Sequence, residues 1–404
     1  LYLIEKHIIK KNNKFYTEID KLSFLSKNLY NMSLYNIRQH YFNEKKFLSL
    51  KENYNLIKNI QKNDYESLPR KVSNQTLKQV DKNFKSFFNA LKSYKKNPKK
   101  FKSSPKIPKY KDKINGRNIL IYEKGAISKK QIKNDIIHLS KTNIYISSKI
   151  KYDDLKEVRI IKNINSYSIE IVYNKQEQKL MEINNNICSG DLGLNNLLTL
   201  SFSNGMKPMI YNGKPLKSIN HYYNKKLSEL KSELELKNKQ KTSKQIKKLT
   251  EKRNNKINDY LHKISYNIVN QLVSKNITLF VIGKNNGWKQ DINIGKKNNQ
   301  NFVQIPFNKL INMLLYKLTL VGINFKTINE SYTSKCSFFD LESVEKHETY
   351  KGKRIKRGLF KTMKGLFINA DVNASYNIMI KAFPNIFIDG IQDLAVNPLK
   401  FNIS

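Results

Sequence analysis

Hydrophobic and polar positions change period along the chain, and these changes divide its first half into helical and strand-rich stretches. After a short alternating opening, residues 20–102 repeat apolar positions at helical spacing. A basic stretch with prolines, 97–113, ends that pattern, because proline lacks the backbone donor that a helix needs. From 118 to 174 the pattern alternates and is rich in β-branched residues, which predicts a small antiparallel sheet or barrel.

The second half of the chain predicts a different order of elements. Alternating residues from about 185 predict a hairpin meander of strands. A charged stretch, 215–275, has few glycines or prolines and carries Leu and Ile at heptad-like positions, so it predicts a helical hairpin. The remaining elements are a buried strand (277–283), an amphipathic helix (302–322), a strand (323–330), a basic connector (335–366) and a closing helix that begins near 371.

The charge of the chain indicates a polyanionic partner. Its 404 residues include 75 Lys and Arg against 32 Asp and Glu, a formal net charge of +43, and the excess runs along the whole length. Lys and Arg that neutralise phosphates release condensed counterions, so nucleic acid is the expected partner. An AT-rich genome would also favour lysine and leave most lysines solvated, but it would not explain the shortage of acids.

Apolar runs and cysteines bear on where the protein works. The longest apolar runs, such as 277–283, fall well short of the ~20 residues that a membrane-spanning helix needs. The first residues contain no long apolar segment or small-residue cleavage site, which argues against a secretory signal. Cys188 and Cys336 form no CxxC pair, which is typical of a reducing compartment. The sequence therefore predicts a soluble, intracellular protein.

Two acidic residues stand at the beginning and end of an element order that is typical of an α/β nuclease core. Cleavage of a phosphodiester by two metal ions needs three or four carboxylates from different elements, since Mg²⁺ prefers oxygen ligands. In RNase H-like cores the first acid lies on the first strand and the last on a late helix. Asp191 follows Gly190 in a predicted strand, where a β-turn is the alternative interpretation. Asp371 opens the closing helix, where a plain helix N-cap is the alternative.

Several motifs occur in a fixed order along the chain. They are residues 68–92, GDLGLNNLLTL at 190–200, HKISYNIV at 262–269, ESYTSKCS at 330–337 and INADVNASYNI at 368–378. Together they resemble the transposon-encoded TnpB proteins, compact RNA-guided nucleases related to the type V CRISPR effectors. The resemblance implies a guide RNA made from the transposon end, a double-stranded DNA target cut beside a short target-adjacent motif, and Mg²⁺-dependent cleavage by a monomer bound to one RNA. It also implies the cytoplasm of a prokaryotic cell, in association with the nucleoid.

The resemblance also implies a fold class, a multidomain α+β and α/β protein. A helical recognition domain would be inserted in a small β-barrel wedge domain, and an RNase H-like RuvC nuclease domain would follow. The predicted bounds are 1–18 and 104–182 for the wedge-like domain, 19–103 for the helical domain, 183–334 and 366–382 for the RuvC-like domain, 335–365 for a basic lid or degenerate zinc ribbon, and 383–404 for a C-terminal tail.

The sequence departs from the family pattern at the second acid. The family's Glu usually ends the buried strand, and Gly283 stands in that place here. Asp291 lies too far along the chain to occupy the same point. Glu330 ends the neighbouring predicted strand, and adjacent strands lie ~4.8 Å apart, so its side chain could enter the same metal site. We therefore predict that Asp191, Glu330 and Asp371 are the catalytic residues and hold two Mg²⁺ ions. The alternative is that Glu330 merely ends a strand near lysines.

A second departure concerns zinc. Many relatives carry a zinc ribbon with two CxxC pairs between the last strand and the last helix. This connector offers only Cys336 and His347, whereas structural zinc needs four ligands. The sequence predicts no zinc, and it predicts that residues 346–360 form a short basic lid or hairpin over the nucleic acid.

Three functions are consistent with these residues. The first is an RNA-guided DNA endonuclease. The second is a nuclease-inactive, RNA-guided DNA-binding protein that acts as a repressor, because without Glu330 only two acids would remain. A DNA-joining transposase is the third, and it fits less well because the resemblance is to an accessory nuclease. Carboxyl oxygens of the three acids gathered at one point would favour the endonuclease, and a wide separation would favour the repressor.

Overall fold

The computed structural model describes residues 1–60, 62–238, 242–285, 300, 303–387, 390, 394 and 396–403. The chain forms two compact units, Leu1–Lys175 and Gln176–Ser404. Both units combine helices with strands, which confirms the mixed α+β, multidomain class. None of the described helices has the length and apolar character that crossing a membrane requires.

The first unit is an antiparallel sheet with helices inserted after its first strand. The strands lie in the order β1-β6-β5-β2, so β1 pairs with the last strand of the unit. The elements are β1 (Tyr2–Lys10), α1 (Tyr16–Glu44), α2 (Leu50–Ile60), α3 (Lys62–Glu66), α4 (Arg70–Lys96), β2 (Leu120–Glu123), α5 (Lys129–Ile132), β3 (Ile136–His138), β4 (Tyr145–Ser147), β5 (Leu155–Lys162) and β6 (Ser166–Asn174).

Among the described residues, the strands of this unit form an open four-stranded sheet and a separate two-stranded hairpin of β3 and β4, where a β-barrel was expected. The sheet has four strands and is open, with β1 and β2 at its edges. Four strands are too few to close around a core, because barrel diameter grows with strand number. The buried face, which includes Ile169 and Ile171 of β6, packs instead against apolar residues of helices α1 and α4 such as Leu29 and Leu77.

Helix α4 shows how prolines delimit the helical segment. It begins directly after Pro69 and ends before Pro98, where a missing backbone donor can be tolerated or stops the helix. Val80 and Phe84 on one side of α4 are buried, while Lys82 and other lysines of the same helix remain exposed. The predicted amphipathic helix is therefore confirmed.

The second unit is built on a six-stranded mixed sheet in the order β11-β10-β7-β8-β9-β15. Strands β7, β8 and β9 form the predicted antiparallel meander, and β10 and β11 continue the sheet in parallel with β7. The elements are β7 (Ile187–Leu192), β8 (Asn196–Phe202), β9 (Met209–Asn212), α6 (Lys214–Asn238), α7 (Lys244–Ser274), β10 (Leu279–Gly283), α8 (Phe307–Leu320), β11 (Asn324–Ile328), β12 (Lys353–Lys356), β13 (Leu359–Lys361), β14 (Phe367–Asn369), α9 (Ala370–Ala382) and β15 (Leu399–Phe401).

Strand β10 explains why an apolar run is continuous at 277–283. All five of its residues are buried, because the sheet is covered on both faces. Phe280 and Ile282 enter the cluster formed with α7 and α8, and Leu279 and Val281 face the opposite cluster, which includes Ile378 of α9. Strand β10 is thus a fixed central support for the residues at its carboxyl end.

Helix α9 lies directly against strand β7. The Ser189 hydroxyl donates to the Ser375 carbonyl oxygen at 2.6 Å, and the Ser375 hydroxyl donates to the Ser189 carbonyl oxygen at 3.1 Å. Small hydroxyl residues allow this close approach and satisfy each other's polar groups, since both are buried. The start of α9 is therefore held beside the end of β7.

The connector between β11 and α9 forms a small sheet of its own. Strands β12, β13 and β14 pair antiparallel, so the predicted hairpin is present and is extended by a third strand. Two buried carboxylates fix turns before and within this sheet. Asp340 Oδ2 accepts from the Ser337 hydroxyl at 2.6 Å and from the Met363 backbone N–H at 2.7 Å. Glu342 accepts from the backbone N–H groups of Ser337 and Lys351 at 2.6 and 2.8 Å.

The C-terminal segment is more than the tail expected from the sequence. Residues 399–401 form β15, which pairs in parallel with β9 at the edge of the sheet. Phe401 stacks on Tyr211 with ring centroids 5.2 Å apart. Three residues are too short for a period-2 pattern to identify a strand from sequence.

Candidate active site

Asp191 lies near the carboxyl end of β7, the strand that joins the meander to the parallel strands. It is opposite Thr199 of β8, and its carboxyl faces a cavity. Burial raises the pKa of Asp191 well above its usual range, the negative charges of Asp371 and Glu330 raise it further, and the positive charge of Arg354 opposes them. Asp191 is therefore a strand residue, and the interpretation as a β-turn residue is wrong.

Asp371 lies in the first turn of α9, but it is not the cap of that helix. The N-cap is Asn369, whose side-chain oxygen accepts from the backbone N–H groups of Asp371 and Val372 at 2.9 and 3.3 Å. The N-cap alternative for Asp371 is therefore wrong. Its carboxylate is directed to other partners: Oδ2 accepts from the Asn196 amide at 2.6 Å, and Oδ1 pairs with Arg354 at 3.0 Å.

Glu330 follows β11 by two residues and occupies the space beside Gly283. A β-carbon placed on Gly283 would lie 3.0 Å from both Cβ and Oε2 of Glu330, and 2.6 Å from Cδ1 of Ile378. Since β10 and β11 pair in parallel with Gly283 opposite Ile328, the Glu330 side chain reaches back over the end of β10. Glycine at 283 leaves the room in which the Glu330 carboxyl lies.

The Glu330 carboxyl is held on one side and left without a partner on the other. Oε1 accepts from the Asn285 amide at 3.4 Å, and the Glu330 backbone N–H donates to Oδ1 of Asn285 at 3.1 Å. Oε2 is buried and has no hydrogen-bond partner among the described residues. Burial raises the pKa of Glu330 to about 7. A buried carboxyl oxygen without a donor is costly, and a bound cation would offset that cost.

The three acids line one cavity of about 850 Å³ at the carboxyl ends of β7 and β10. Three cationic side chains, Lys214, Arg354 and Arg357, line the same cavity. Carboxylates that bind metals and cations that bind phosphates are the two kinds of group that phosphodiester cleavage requires. The cavity can therefore accept a phosphate group together with divalent cations.

The donor set fits Mg²⁺ in kind but is not arranged as a ligand cluster. All three predicted ligands offer carboxylate oxygens, which are the donors that Mg²⁺ prefers, and Oε2 of Glu330 lacks any other partner among the described residues. Within the described part of the chain, no three His, Cys, Asp or Glu side chains are grouped closely enough to hold a metal ion. The Asp371 carboxylate is instead engaged by Arg354 and Asn196.

Sequence reasoning located the acids but missed their partners. In the sequence, Arg354 is one of many cations of a basic connector, and Asn196 is one residue of the GDLGLNN strip. Asn285 carries no signal of its own, apart from following the glycine that replaces an acid. Asp291, which was judged too distant for the site, lies outside the described residues.

Two family models match parts of the chain that lie mostly in the second unit. Residues 170–289 match OrfB_IS605, described as a probable transposase, and residues 307–378 match the TNB domain of Cas12f1-like proteins. The first match contains Asp191 and Gly283, and the second contains Glu330 and Asp371. The matches cover less than half of the chain, and they confirm its resemblance to the TnpB-like RNA-guided nucleases.

Solved structures of RNA-guided effectors are similar over most of the chain, at low identity. A Cas12f1–sgRNA–target DNA complex is 15% identical over 93% of this chain and 98% of that one, with a TM-score of 0.36. A CRISPR-Cas12f ternary complex is 13% identical over 90% of this chain and 82% of that one, with a TM-score of 0.37. The mini-RNA-guided endonuclease CRISPR-Casφ3 is 11% identical over 94% of this chain and 92% of that one, with a TM-score of 0.48. Every TM-score is below 0.5, so the conclusions below rest on the family matches and the site. No curated protein matches the chain.

Proposed function

We propose that this protein is a transposon-encoded, RNA-guided DNA endonuclease that cleaves DNA beside a short target-adjacent motif by Mg²⁺-dependent hydrolysis. Its partners would be a guide RNA derived from the transposon end and a double-stranded DNA target. The meander β7–β9 followed by the parallel strands β10 and β11 has the strand order expected of an RNase H-like, RuvC-type domain. Asp191, Glu330 and Asp371 would be its catalytic acids.

The observation that carries the proposal is the exchange between positions 283 and 330. The residue expected to be acidic is glycine, and the oxygen of a nearby glutamate lies 3.0 Å from where that residue's β-carbon would be. The two features depend on each other, because a side chain at 283 would displace the Glu330 carboxyl. A glycine that arose through simple loss of the site would not require an acid in the vacated space.

The residues of the cavity divide the work of hydrolysis between them. Asp191, Glu330 and Asp371 would hold two Mg²⁺ ions, which when bound lower the pKa of water and stabilise charge on the leaving oxygen. Arg357 and Lys214 line the cavity without an ion pair among the described residues, so they are available to bind the phosphates that flank the cut. Asn285 orients Glu330 through its two hydrogen bonds.

A swap of the acid between the two positions tests the assignment. Glu330→Ala should abolish cleavage of a plasmid that carries a matched target, and Asp191→Ala should do the same while target binding persists. The double variant Gly283→Glu/Glu330→Ala should recover part of the cleavage, because it moves the carboxylate to the family's usual strand and removes the Glu330 carboxyl from its path, so that the end of the Ile378 side chain has to shift. Asp259→Asn, at an exposed acid of α7, is the matched control and should cut normally.

The assignment of Glu330 is wrong if Glu330→Ala cuts as fast as the wild type in Mg²⁺. It is also wrong if the double variant is as inactive as Glu330→Ala while remaining folded and bound to target DNA. Addition of EDTA should stop cleavage by every active variant, since no other group in the described cavity supplies equivalent charge stabilisation.

The repressor alternative is favoured by one observation, the ion pair between Arg354 and Asp371. That contact engages a carboxylate that a metal site would need, and the described acids form no ready ligand cluster. Under this alternative, wild-type protein with guide RNA, matched DNA and Mg²⁺ should bind the target tightly and leave it intact. Cleavage by the wild type that disappears in Asp191→Ala would reject the repressor.

A further inference from the structure

The hairpin of β3 and β4 in the first unit presents an aromatic pair to solvent. His138 and Tyr145 are direct cross-strand partners, and their rings stack at 4.3 Å with an interplanar angle of 7°. The His138 ring is held further by a 2.8 Å contact between Nε2 and the carbonyl oxygen of Thr142. Tyr145 keeps 45% of its surface exposed. The pair is therefore a supported platform with one open aromatic face.

The segment that carries Tyr145 is fixed below and open above. From 141 to 151, buried and exposed residues alternate without interruption. Ile144, Ile146 and Ile150 enter the hydrophobic core of the unit, which holds the backbone in place. The exposed side chains of this segment are Lys141, which lies in the turn between the strands, and Asn143, Tyr145, Ser147, Lys149 and Lys151. Where the chain is extended, alternate side chains are ~7 Å apart.

The charge around the platform is mostly positive, although the Glu18 carboxylate accepts from the Asn143 backbone N–H at 3.0 Å. Residues 129–151 contain six lysines and one acid, Asp135, and all six lysines are exposed. None of the six forms an ion pair with a carboxylate of the described residues. Lysines that form no ion pair repel each other, and this repulsion raises the free energy of the folded protein. A bound polyanion would offset the repulsion.

We infer that this surface, formed by Tyr145 with Lys141, Lys149 and Lys151 and called here the hairpin surface, binds an unpaired base and the adjoining phosphates of an RNA strand. The base stacks on the open face of Tyr145, and the lysines neutralise the phosphates on either side. Stacking on an aromatic side chain tolerates any base, because every base has a π face. The hairpin surface lies in the first unit and contains none of the three acids proposed for cleavage.

RNA fits the hairpin surface better than duplex DNA does. A duplex keeps its bases paired and stacked, whereas a folded RNA offers loops and bulges whose bases can be splayed onto an aromatic ring. The presence of an RNA partner rests on the proposed function, but the binding step can be measured without any cleavage. A failure of one can therefore be told apart from a failure of the other.

The experiment measures binding of three labelled probes to full-length protein: oligoadenylate, a blunt RNA duplex of equal length, and oligodeoxyadenylate. Salt is kept high enough to suppress non-specific attraction. Tyr145→Ala should weaken oligoadenylate binding by roughly 5- to 100-fold and leave the duplex within about twofold. Tyr145→Phe keeps the ring and should bind as the wild type does. The control Tyr222→Ala removes a tyrosine that is 57% exposed and stacks on no described ring, and it should have little effect.

Three results would overturn the inference. One is unchanged oligoadenylate binding by folded Tyr145→Ala. Another is an equal loss for the duplex, for Tyr145→Phe or for Tyr222→Ala, since each would point to charge, the hydroxyl or general exposure instead of stacking. The third is a Tyr145-dependent preference for oligodeoxyadenylate, which would assign the surface to single-stranded DNA. If the hairpin surface behaves as expected and the protein never cuts guided DNA, only the proposed function fails.

Discussion

At the scale of single residues, Glu330 has a buried oxygen that lacks a hydrogen-bond partner among the described residues, and its burial should have a measurable effect on stability. Its pKa is raised by burial to about 7, against an ordinary value of 4.5. The folded protein therefore binds a proton that the unfolded chain releases above pH 4.5. Proton binding by Glu330 therefore contributes to the free energy of unfolding. This contribution is fully present below pH 4.5, declines as the pH rises, and is lost once the pH passes about 7. The cost of ionising Glu330 is at most about 3 kcal/mol, and residual exposure to the cavity reduces it.

Replacing Glu330 by Gln should therefore stabilise the metal-free protein in a pH-dependent way. The amide is neutral at every pH, so Glu330→Gln should raise the melting temperature at pH 8 and leave it nearly unchanged at pH 4.5. Thermal unfolding in EDTA at both pH values measures the effect, and Asp259→Asn serves as the exposed control. A variant that melts with the wild type at pH 8 would show that the carboxyl is not strained by burial. Excess Mg²⁺ should reverse the order, because only the wild type can bind it there.

The site could be predicted from sequence only in part, and the residues show why. Asp191 and Asp371 carry a local signal, since an acid in a Gly-flanked strand and an acid at a helix start are visible within a few positions. Glu330 is the candidate for the second acid because Gly283 stands where the family has a glutamate, and the next predicted strand ends in an acid. Glu330 and Asn285, which are joined by a hydrogen bond, lie 45 residues apart in the chain. Arg354 and Asp371, which form an ion pair, lie 17 residues apart. Such contacts depend on how turns fold, and no sequence period encodes them.

At the scale of elements, the edge strand β12 brings a basic side chain into the acidic cavity. All four of its residues are exposed, and Arg354 extends from it to Asp371. The ion pair is partly solvated, with 47% and 21% of the two side chains exposed, so it contributes on the order of 1 kcal/mol or less. A contact of that strength can be displaced by a divalent cation. The pair therefore competes with metal without excluding it.

Arg354→Gln should consequently increase the affinity of the RNA-free protein for Mg²⁺ by a few-fold. The change leaves the carboxylates in place and removes the cation that holds Asp371. Calorimetric titration of Mg²⁺ into protein without nucleic acid measures this directly. Arg357→Gln is the matched control, because Arg357 lines the same cavity without an ion pair among the described residues. Equal Mg²⁺ affinity in both variants and the wild type would mean that Asp371 is not a metal ligand.

Buried carboxylates stabilise the turns of the connector between β11 and α9. Asp340 ties the turn at Ser337 to the turn at Met363, and its buried position makes the loss of those bonds costly. Asp340→Ala should destabilise the connector by roughly 1–3 kcal/mol, seen as faster proteolysis between residues 341 and 366. Glu348→Ala, at an exposed acid of the same segment, should not change the digestion. Zinc chelation should leave the wild-type pattern unaltered, and stoichiometric zinc in the purified protein would contradict the prediction that the protein holds no zinc.

The order of helices and strands was more predictable from the sequence than the way the strands pair at the edges of the sheets. The meander, the helical hairpin, the buried strand β10 and the closing helix α9 all follow from apolar periods in the sequence. The open sheet of the first unit and the strand β15 do not, because closure and edge pairing depend on partners far away in the chain. A period of two predicts a strand but not which strand lies beside it.

At the scale of the whole molecule, both units carry the positive charge. Residues 1–175 contain 39 Lys and Arg against 15 Asp and Glu, and residues 176–404 contain 36 against 17. An excess of this size in each unit indicates that nucleic acid contacts both of them. The sequence alone established this property, because net charge does not depend on the fold.

Binding of RNA by the Asp191→Ala protein, which we expect not to cleave, should therefore depend steeply on salt. Each phosphate neutralised releases counterions, so the logarithm of the binding constant should fall linearly with the logarithm of salt concentration, at a slope of about −0.7 per contact for a single strand. With contacts in both units, the affinity should drop by at least ~10³ between about 50 and 200 mM salt. Filter binding over a salt series measures the slope. Replacing Lys149 and Lys151 by Gln should reduce its magnitude by roughly one to two, while Tyr145→Ala should lower the affinity at every salt concentration and leave the slope unchanged. A shallow slope in the parent protein would mean that most lysines are solvated, as an AT-rich genome alone would produce.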